Sequence, residues 1–385
     1  MRAVSILSVL EDAQLAIDEV LNRARTEFGP DPGDLAIVFV SAHHAETLGP
    51  LVQALQESGL IKNVLGTTGE TIAGEAREVE EGPAISLWIC CFPDGVSFQP
   101  VRLEASPDGE GEWPHGQPGA DLKTQTLILL ADPFSFALDP WLVRMNSDFP
   151  GMRIVGGVAS GGHRPGVNRL VLGTDVFDTG AVGVLISGPV QVRTIVSQGC
   201  RPIGRPLIVT RAEENLIQEL GRLPALEVLQ EIYADLDPED QQRVQSGLHL
   251  GRVISEYQER FGRGDFLVRN VIGATKEGAI AITDHVRIGQ TVQFHVRDAD
   301  SADEDLRALL EAGQPAQPFA ALLFSCNGRG TRLFDRPNHD VNAIHDLMGP
   351  VPVAGFFAMG EIGPVGGKNF IHGFTASIVL FESVG

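Results

Sequence analysis

The chain has 385 residues, of which 44 are Gly and 24 are Pro, and 43% are hydrophobic. The apolar share is ample for a core, so a Gly content of roughly 11%, against a usual ~7%, predicts many special turns and argues against disorder or a collagen repeat. The formal charge is −21 with no compensating basic run. Nucleic acids and anionic membranes are therefore not expected partners.

The N-terminus and the cysteines predict the compartment. The apolar run Val4 to Leu10 meets Glu11 before any cleavage-like site, and the longest apolar stretches are strand-sized, so we expect neither a signal peptide nor a membrane span. Four Cys are too sparse for a disulfide framework. Cys90 and Cys91 are adjacent in a strand-like run and point to opposite faces. A cytoplasmic protein is expected.

The first elements follow from caps and breakers. Residues 4–9 predict a short strand, Asp12 is a suitable N-cap for a following helix, and Gly29 with Pro30 ends that helix. The predicted apolar side of the helix comprises Leu15, Ile17, Val20 and Leu21. Residues 35–40 predict a buried strand. Residues 106–119 are mostly turn formers and predict a long surface loop with Trp113 as its anchor.

The second half opens with a change of pattern. Three helices are predicted after Thr210, and these are Ala212–Leu220, Pro224–Tyr233 and Pro238–Leu248. Residues 252–297 read as a β-meander, and a helix over 303–310 follows it. Gly221 and Pro224 mark the expected domain boundary. The predicted organisation is an N-terminal strand and helix (1–30), a first domain (31–221) and a second domain (222–385).

An internal repeat is the most informative feature of the sequence. Three segments share the order apolar strand, polar loop, helix, second apolar strand, Gly-rich turn and closing strand. The copies are 35–41, 64–70 and 85–89, then 127–132, 154–161 and 181–186, then 320–326, 353–361 and 375–380. The spacing is 25 residues from Ser41 to Gly66, 25 from Asp132 to Gly157, and 30 from Ser325 to Gly355.

This spacing is typical of a parallel strand pair joined by a crossover helix. The predicted fold class is therefore α/β, with two sheet-containing domains and crossover helices. The apolar character of the repeat strands favours sheets packed face to face, so that copies of the repeat in the two domains face one another. In such sheets ligands bind beyond the carboxyl ends of the strands. The Gly turns of the three copies are therefore the candidate binding regions.

The turn after the third copy's first strand has the strongest chemical content. Cys326 follows a buried strand, and it is succeeded by Asn327, a Gly, Arg329 and another Gly. Backbone N–H groups freed by Gly, together with a cationic side chain, lower a thiol pKa and favour an anion. The motif also fits a tight turn with an inert Cys.

The matching turn of the same copy supplies further candidates. Gly355, Phe356 and Met359 suggest an apolar pocket wall, and Glu361 suggests a partner for Arg329 or for a ligand amine. A hairpin with core aromatics is the alternative. The corresponding turns and a second Cys-Arg turn add the candidates Thr67, Thr68, Glu70, Ser160, Cys200 and Arg201, with His163 and His372 as site histidines. Glu70 and Glu361 are expected to be counterparts.

Metal and cofactor motifs do not occur in the sequence. The ten His lack metal spacing and no H-E-x-x-H is found, so no metal is expected. The Gly turns are not phosphate loops because no Gly-Lys-Ser/Thr follows, and Ser160 is misplaced for a nucleophile elbow. No cofactor is predicted.

The motifs together resemble those of FIST proteins with N-terminal and C-terminal FIST domains in tandem, from about Asp31 onward. The residues that carry the resemblance are 66–70 with 78–80, 199–204 with 209–210, 324–330, and 355–361 with His372. The resemblance implies a sensory role with a small ligand, such as an amino acid, and a signalling partner. The chain has no segment suited to an F-box, kinase, receiver or cyclase domain, so the output partner stays open, as does the oligomeric state.

Three hypotheses about function follow. The first is a cytoplasmic small-molecule sensor in which Arg329 meets a carboxylate, Glu70 or Glu361 meets an amine, and Phe356 and Met359 meet the apolar part. The second is an enzyme with Cys326 as nucleophile and His372 or His163 as base. The third is a protein-interaction adaptor without pocket chemistry.

Overall fold

The fold was analysed in a computed structural model that describes residues 1–104, 122–258, 260–312 and 317–383. The predicted loop over 106–119 with Trp113 lies outside these residues. The chain divides into two units. The first comprises 1–196, 307–371 and 375–385, and the second comprises 197–306 and 372–374. Both predicted domains contribute to the first unit, and the boundary at Gly221 stays a prediction.

The described strands and helices follow in chain order. The strands are β1 (Arg2–Ser8), β2 (Gly33–Ser41), β3 (Ile61–Gly69), β4 (Ile72–Gly74), β5 (Arg77–Val79), β6 (Ile85–Cys91), β7 (Ser97–Leu103), β8 (Thr126–Ala131), β9 (Arg153–Val158), β10 (Leu170–Leu172), β11 (Asp175–Phe177), β12 (Ala181–Ser187), β13 (Val190–Gln198), β14 (Cys200–Glu213), β15 (Leu216–Leu220), β16 (Leu223–Pro224), β17 (Leu248–Val253), β18 (Phe266–Ala274), β19 (Ile280–Ile282), β20 (Thr291–Arg297), β21 (Ala320–Cys326), β22 (Val353–Ala358), β23 (Glu361–Val365), β24 (Lys368–His372) and β25 (Thr375–Ser383). The α-helices are α1 (Ala13–Glu27), α2 (Leu48–Glu57), α3 (Leu138–Asp148), α4 (Ala225–Asp235), α5 (Pro238–Ser246), α6 (Ala299–Glu311) and α7 (His339–Met348).

The predicted repeat and its parallel strand pairs are confirmed. In each copy the first strand pairs in parallel with the second (β2 with β3, β8 with β9, β21 with β22) and antiparallel with the closing strand (β6, β12, β25). A helix connects each parallel pair, namely α2, α3 or α7. The fold class is thus α/β, as predicted from the spacing.

Each copy also exchanges a hairpin with another copy. The hairpin β4–β5 of the first copy lies beside β22, β10–β11 of the second lies beside β3, and β23–β24 of the third lies beside β9. With the edge strands β1, β7 and β13, this makes three six-stranded sheets of one common strand order. The sequence predicts sheets that face one another. Three sheets share one core cluster, because each copy of the repeat builds a sheet of its own.

The core of the first unit follows from strand alternation. In β2, Leu35, Ile37 and Phe39 point into a cluster shared by all three sheets, whereas the alternate residues pack against α1 and α2. Strand β8 alternates likewise between the shared cluster and a cluster with α3. The sheets therefore lie inside, and these helices cover their outer faces.

The structural register corrects the sequence alignment of the copies by one residue. The paired residues are Val38 with Gly66, Leu129 with Gly156, and Leu323 with Gly355. The glycine of the second copy is therefore Gly156 and not Gly157. Counting three residues on from each first-strand partner makes Ser41, Asp132 and Cys326 equivalent, so Cys326 and not Ser325 is the counterpart of Ser41 and Asp132.

The second unit is a closed β-barrel. Its strand order is β14-β20-β17-β18-β19-β15-β16, and β14 also pairs with β15. The predicted meander and the helices α4 and α5 are confirmed, but the helix predicted over Ala212–Leu220 is wrong. That segment is a hairpin that turns at Glu214, whose φ is +51°. Barrel closure overrides the weak helical preference of this segment.

At the N-terminus the predicted helix is confirmed, with one exception on its apolar side. Asp12 caps α1 by accepting a hydrogen bond from the Leu15 N–H at 2.9 Å. Leu15 itself is 58% exposed, because the buried stripe begins at the next two residues, Ala16 and Ile17.

We expect Gly355→Ala to lower the free energy of unfolding by about 3 kcal/mol, the upper end for overpacking a core. A Cβ at this position would lie 1.9 Å from the Leu323 carbonyl oxygen, which the sheet holds in place. Gly49→Ala in α2 is the matched control, since its Cβ would come no closer than 3.8 Å to Val176. Denaturant unfolding of both variants measures the effect, and equal midpoints would contradict the assigned close approach.

Candidate functional site

The turn after β21 is shaped by the exchanged hairpin of the first copy. The Arg329 N–H donates to the Cys326 carbonyl oxygen at 2.8 Å, and a short 3₁₀ helix follows at Gly330–Arg332. Gly330 has a φ of +60°, and a Cβ there would lie 2.7 Å from the Glu80 carboxyl group. Glu80 in turn accepts hydrogen bonds from the Thr331 N–H and hydroxyl. The glycine therefore permits this approach.

Arg329 is buried and bound to Asp340 of α7. Its Nε and Nη2 donate to the two carboxylate oxygens at 2.8 and 2.7 Å, and its side chain is 1% exposed. Asp340 also accepts from the Ser325 hydroxyl at 2.7 Å, and His339 Nδ1 lies 2.9 Å from it. The Arg329 guanidinium and the His339 contact hold the pKa of Asp340 well below its usual range, against the effect of burial.

This ion pair corrects the predicted role of Arg329. Two of its nitrogens are occupied by Asp340, so the charge is compensated inside the protein and is not a free receptor for a carboxylate. Nη1 remains, and this buried nitrogen has no hydrogen-bond partner among the described residues. Arg329 can thus offer a ligand one buried donor.

Glu361 lies near Cys326 and is fully buried. Its Oε2 accepts hydrogen bonds from the Thr375 N–H at 3.1 Å and the Thr375 hydroxyl at 2.7 Å. Burial raises the pKa of Glu361 to about 8, opposed by the Thr375 hydrogen bonds, the charge of Arg329 and a hydrogen bond from the Cys326 thiol. At neutral pH the carboxyl group is therefore mostly protonated. This corrects its predicted role as the partner of a ligand ammonium.

Glu78, on β5, is a second buried acid that received no role from the sequence. Its Oε1 accepts a hydrogen bond from the Val341 N–H at 2.9 Å. Burial and the nearby charge of Asp340 raise the pKa of Glu78 to about 8. The signal that points to it is the Glu-Val-Glu run of the hairpin strand, in which Glu78 alternates with a solvent-facing Arg77.

Four buried polar atoms near this turn are unpartnered. They are Glu78 Oε2, Asn327 Oδ1, Arg329 Nη1 and Glu361 Oε1, and none has a hydrogen-bond partner within the described part of the chain. Other unpartnered atoms lie elsewhere in the described residues, among them Trp141 Nε1 and both ring nitrogens of His249. Such atoms are uncommon in native proteins, and each calls for an explanation such as an unoccupied ligand position. We call Cys326, Asn327, Arg329 and Glu361 the Cys326 site.

Three predicted polar residues lie at the junction of the three copies instead. Thr67 and Thr68 are buried and hydrogen-bond to the Arg169 carbonyl and to Asn168. The Ser160 hydroxyl donates to the Phe357 carbonyl and accepts from the Glu70 N–H. The hydroxyl groups of these three residues therefore form hydrogen bonds that join strand ends.

The predicted pocket wall is divided between core and surface. Phe356 is fully buried between Phe39 and Phe324, with ring centroids 5.2 and 5.9 Å away, so it belongs to the core and the prediction for it is wrong. Gly355 abuts the Leu323 carbonyl. Met359 is 40% exposed and lines a crevice of about 340 Å³ with Asp132 and Phe136 of the second copy.

Glu70 and Glu361 are not counterparts. Glu70 follows Gly66 by four residues and forms an ion pair with Arg332, whereas Glu361 follows Gly355 by six and is buried. Met359 therefore corresponds to Glu70. Glu70 lies beside the Cys326 turn because Arg332 also donates to the Asn327 carbonyl at 2.8 Å.

The remaining predicted residues have other surroundings. His163 lines an open crevice of about 730 Å³ next to Glu46 and Arg169. In the second unit, Cys200 is buried in an apolar cluster, and Arg201 binds Asp240 and Asp298. His372 is buried at the end of β24 and belongs to the second unit.

The fold defines the chain as an α/β protein with a triplicated, hairpin-exchanging unit and an appended barrel. The model of the FIST N domain matches residues 34–222, and that of the FIST C domain matches 225–364. The chain therefore belongs to the FIST family, as the motifs suggest. FIST domains are generally sensory, ligand-binding signalling domains.

Two similar mycobacterial proteins match over nearly their whole length. An uncharacterized protein of Mycobacterium tuberculosis H37Rv is 41% identical over 379 residues, which are 97% of this chain and 98% of that protein. An uncharacterized protein of Mycobacterium bovis is 40% identical over 374 residues, which are 96% of each chain. Within the described residues no helix has the length and apolar character needed to span a membrane.

We expect Glu361→Gln to stabilise the protein selectively at high pH. A carboxyl group whose pKa rises from 4.5 to about 8 on folding holds its proton in the fold, so stability is highest below pH 4.5 and falls as the pH rises towards 8. Gln cannot ionise and removes this loss of unfolding free energy, which is ~1.4 kcal/mol for each pH unit between 4.5 and about 8. Melting temperatures from pH 5 to 9 measure it. Glu81→Gln, an exposed neighbour of the hairpin, is the control and should follow the wild type.

We expect Asp340→Asn to lower the free energy of unfolding by about 3–5 kcal/mol, because it leaves the buried Arg329 charge uncompensated. Asp346→Asn on the same helix removes an exposed ion pair with Arg307 and should cost at most about 1 kcal/mol. Denaturant titrations of both variants compare the two costs. Similar losses would show that the Arg329–Asp340 pair is not a structural anchor.

Proposed function

We propose that this chain is a cytoplasmic small-molecule sensor that passes its signal to a partner protein, with the Cys326 site as the ligand site. Its family membership supports a sensory role. The observation that carries the choice of site is the group of unpartnered buried polar atoms beside a partly exposed turn. A ligand that completes those hydrogen bonds gains affinity, because folding has already removed these polar atoms from water and binding does not incur that cost again.

The chemistry of these atoms describes the ligand. Arg329 Nη1 donates and therefore suits a carbonyl or carboxylate oxygen, whereas Asn327 Oδ1 accepts and suits an N–H or O–H group. Glu361 carries a proton at neutral pH and can donate or accept through Oε1. Because Asp340 compensates Arg329, a strongly anionic ligand gains little. Amino acids, small monocarboxylates and small amides form the proposed class.

A thermal-shift series over this class tests the proposal with wild type, Asn327→Ala and Asn342→Ala. Binding to the native state adds about 2.7 kcal/mol of stability at a ligand concentration of 100 times Kd. Asn327→Ala removes the acceptor and should reduce the shift. Asn342→Ala, on the exposed side of α7, is the matched control and should keep it.

Two results would reject the proposal. One is the lack of any stabilisation at millimolar concentration across amino acids, monocarboxylates and amides. The other is a shift of the same size in Asn327→Ala and Asn342→Ala, which would place the ligand elsewhere.

A further inference from the structure

Cys326 is a partly exposed residue of the site, and the surroundings of its thiol favour reaction. The sulfur belongs to a partly exposed residue, and the Gly328 N–H donates to Sγ at 3.4 Å. The Arg329 charge acts on the same sulfur, and the Glu361 carboxyl group is its hydrogen-bonding neighbour. A hydrogen-bond donor, a cation and a carboxyl group that can exchange a proton therefore surround one nucleophile.

The equivalent positions of the other copies lack this arrangement. Ser41 accepts a hydrogen bond from the Ala84 N–H at 3.0 Å with its hydroxyl oxygen, which ties it to its own sheet. Asp132 accepts from the Phe134 N–H and from Asn168 at 3.1 and 3.2 Å. The third copy alone places a thiol at this strand end.

Two buried donors provide an independent indication of what reacts with the thiol. Arg329 Nη1 and Glu361 Oε1 have no hydrogen-bond partner in the described chain, and their side chains are 1% and 0% exposed. When Glu361 is protonated, both can donate to an oxygen. Donors placed beside a nucleophile stabilise the oxygen of a carbonyl group as it takes up charge.

We propose that Cys326 captures small aldehydes reversibly, with Glu361 as the proton carrier. The sulfur forms a bond to the carbonyl carbon and the carbonyl π bond breaks. The Glu361 carboxyl group gives its proton to the carbonyl oxygen and takes up the thiol proton in exchange, which gives a hemithioacetal and leaves Glu361 protonated again. No oxidant and no leaving group are needed. The inference rests on the proposed function, since it concerns the same site.

The acidity of Glu361 supports this exchange. Its pKa is about 8, so at neutral pH the carboxyl group holds the proton that it gives to the carbonyl oxygen. Because Arg329 and Glu361 are buried, the carbonyl compound must be small, and a short unbranched aldehyde is the probe.

The test is ¹³C NMR of the full chain with [1-¹³C]propionaldehyde. The expected result is one new signal of a tetrahedral, sulfur-bound carbon for each chain, which disappears when the aldehyde is removed by gel filtration. Cys326→Ser should abolish the signal. Cys91→Ser, which removes the other partly exposed thiol, should keep it.

The second measurement is the rate of capture, followed as protection of Cys326 from iodoacetamide. Glu361→Gln should slow capture by about 100-fold, a typical loss for removal of a general acid–base. Melting curves establish that each variant is folded. If Cys326→Ser is not folded, Cys326→Ala takes its place in both experiments. Any one of three results would overturn the inference. The wild type could lack the signal of the sulfur-bound carbon, the signal could survive in Cys326→Ser, or the rate of capture could be unchanged in Glu361→Gln.

Failure of this inference is distinguishable from failure of the proposed function. If amino acids, carboxylates or amides stabilise the chain but propionaldehyde forms no adduct, the ligand site stands and covalent capture is wrong. If no compound of that class stabilises the chain and the adduct nevertheless forms on Cys326, covalent capture stands and the proposed function is wrong.

Discussion

The first unit depends on one constraint, which is that the second strand of each parallel pair needs a partner for its backbone groups. The second strand of each parallel pair, β3, β9 or β22, would be an open edge if its copy stood alone. A hairpin from another copy covers that edge in all three cases. The same exchange shapes the surroundings of the Cys326 site, because β5 places Glu78 against Val341 of α7, and the segment after β5 places Glu80 against Thr331 in the turn that follows β21.

The electrostatics of the site follow from the Arg329–Asp340 pair. A buried guanidinium is costly unless a carboxylate compensates it, and Asp340 does so with two hydrogen bonds. The two further acids, Glu78 and Glu361, are then surplus and carry protons at neutral pH. A chain of −21 net charge therefore has a nearly neutral site, so the overall charge says nothing about the ligand.

Sequence patterns predicted those features that depend on local geometry. The crossover length gave the parallel pairs, and the cap at Asp12 gave the start of α1. Gly turns at strand ends pointed to the turn of the third copy that holds Cys326 and Asn327. Predictions failed where a partner from elsewhere in the chain decides the outcome, as for Arg329, two of whose nitrogens bind Asp340.

By itself the sequence determined the α/β class, the threefold repeat and the family, because periodicity and motif order are properties of short segments. Tertiary structure decided which turn keeps unpartnered polar atoms. Thr67, Thr68 and Ser160 are as polar as Asn327, yet their hydroxyl groups form hydrogen bonds that join strand ends. The reason is that hydrogen-bond satisfaction and burial depend on residues a hundred or more positions apart, which no local pattern records.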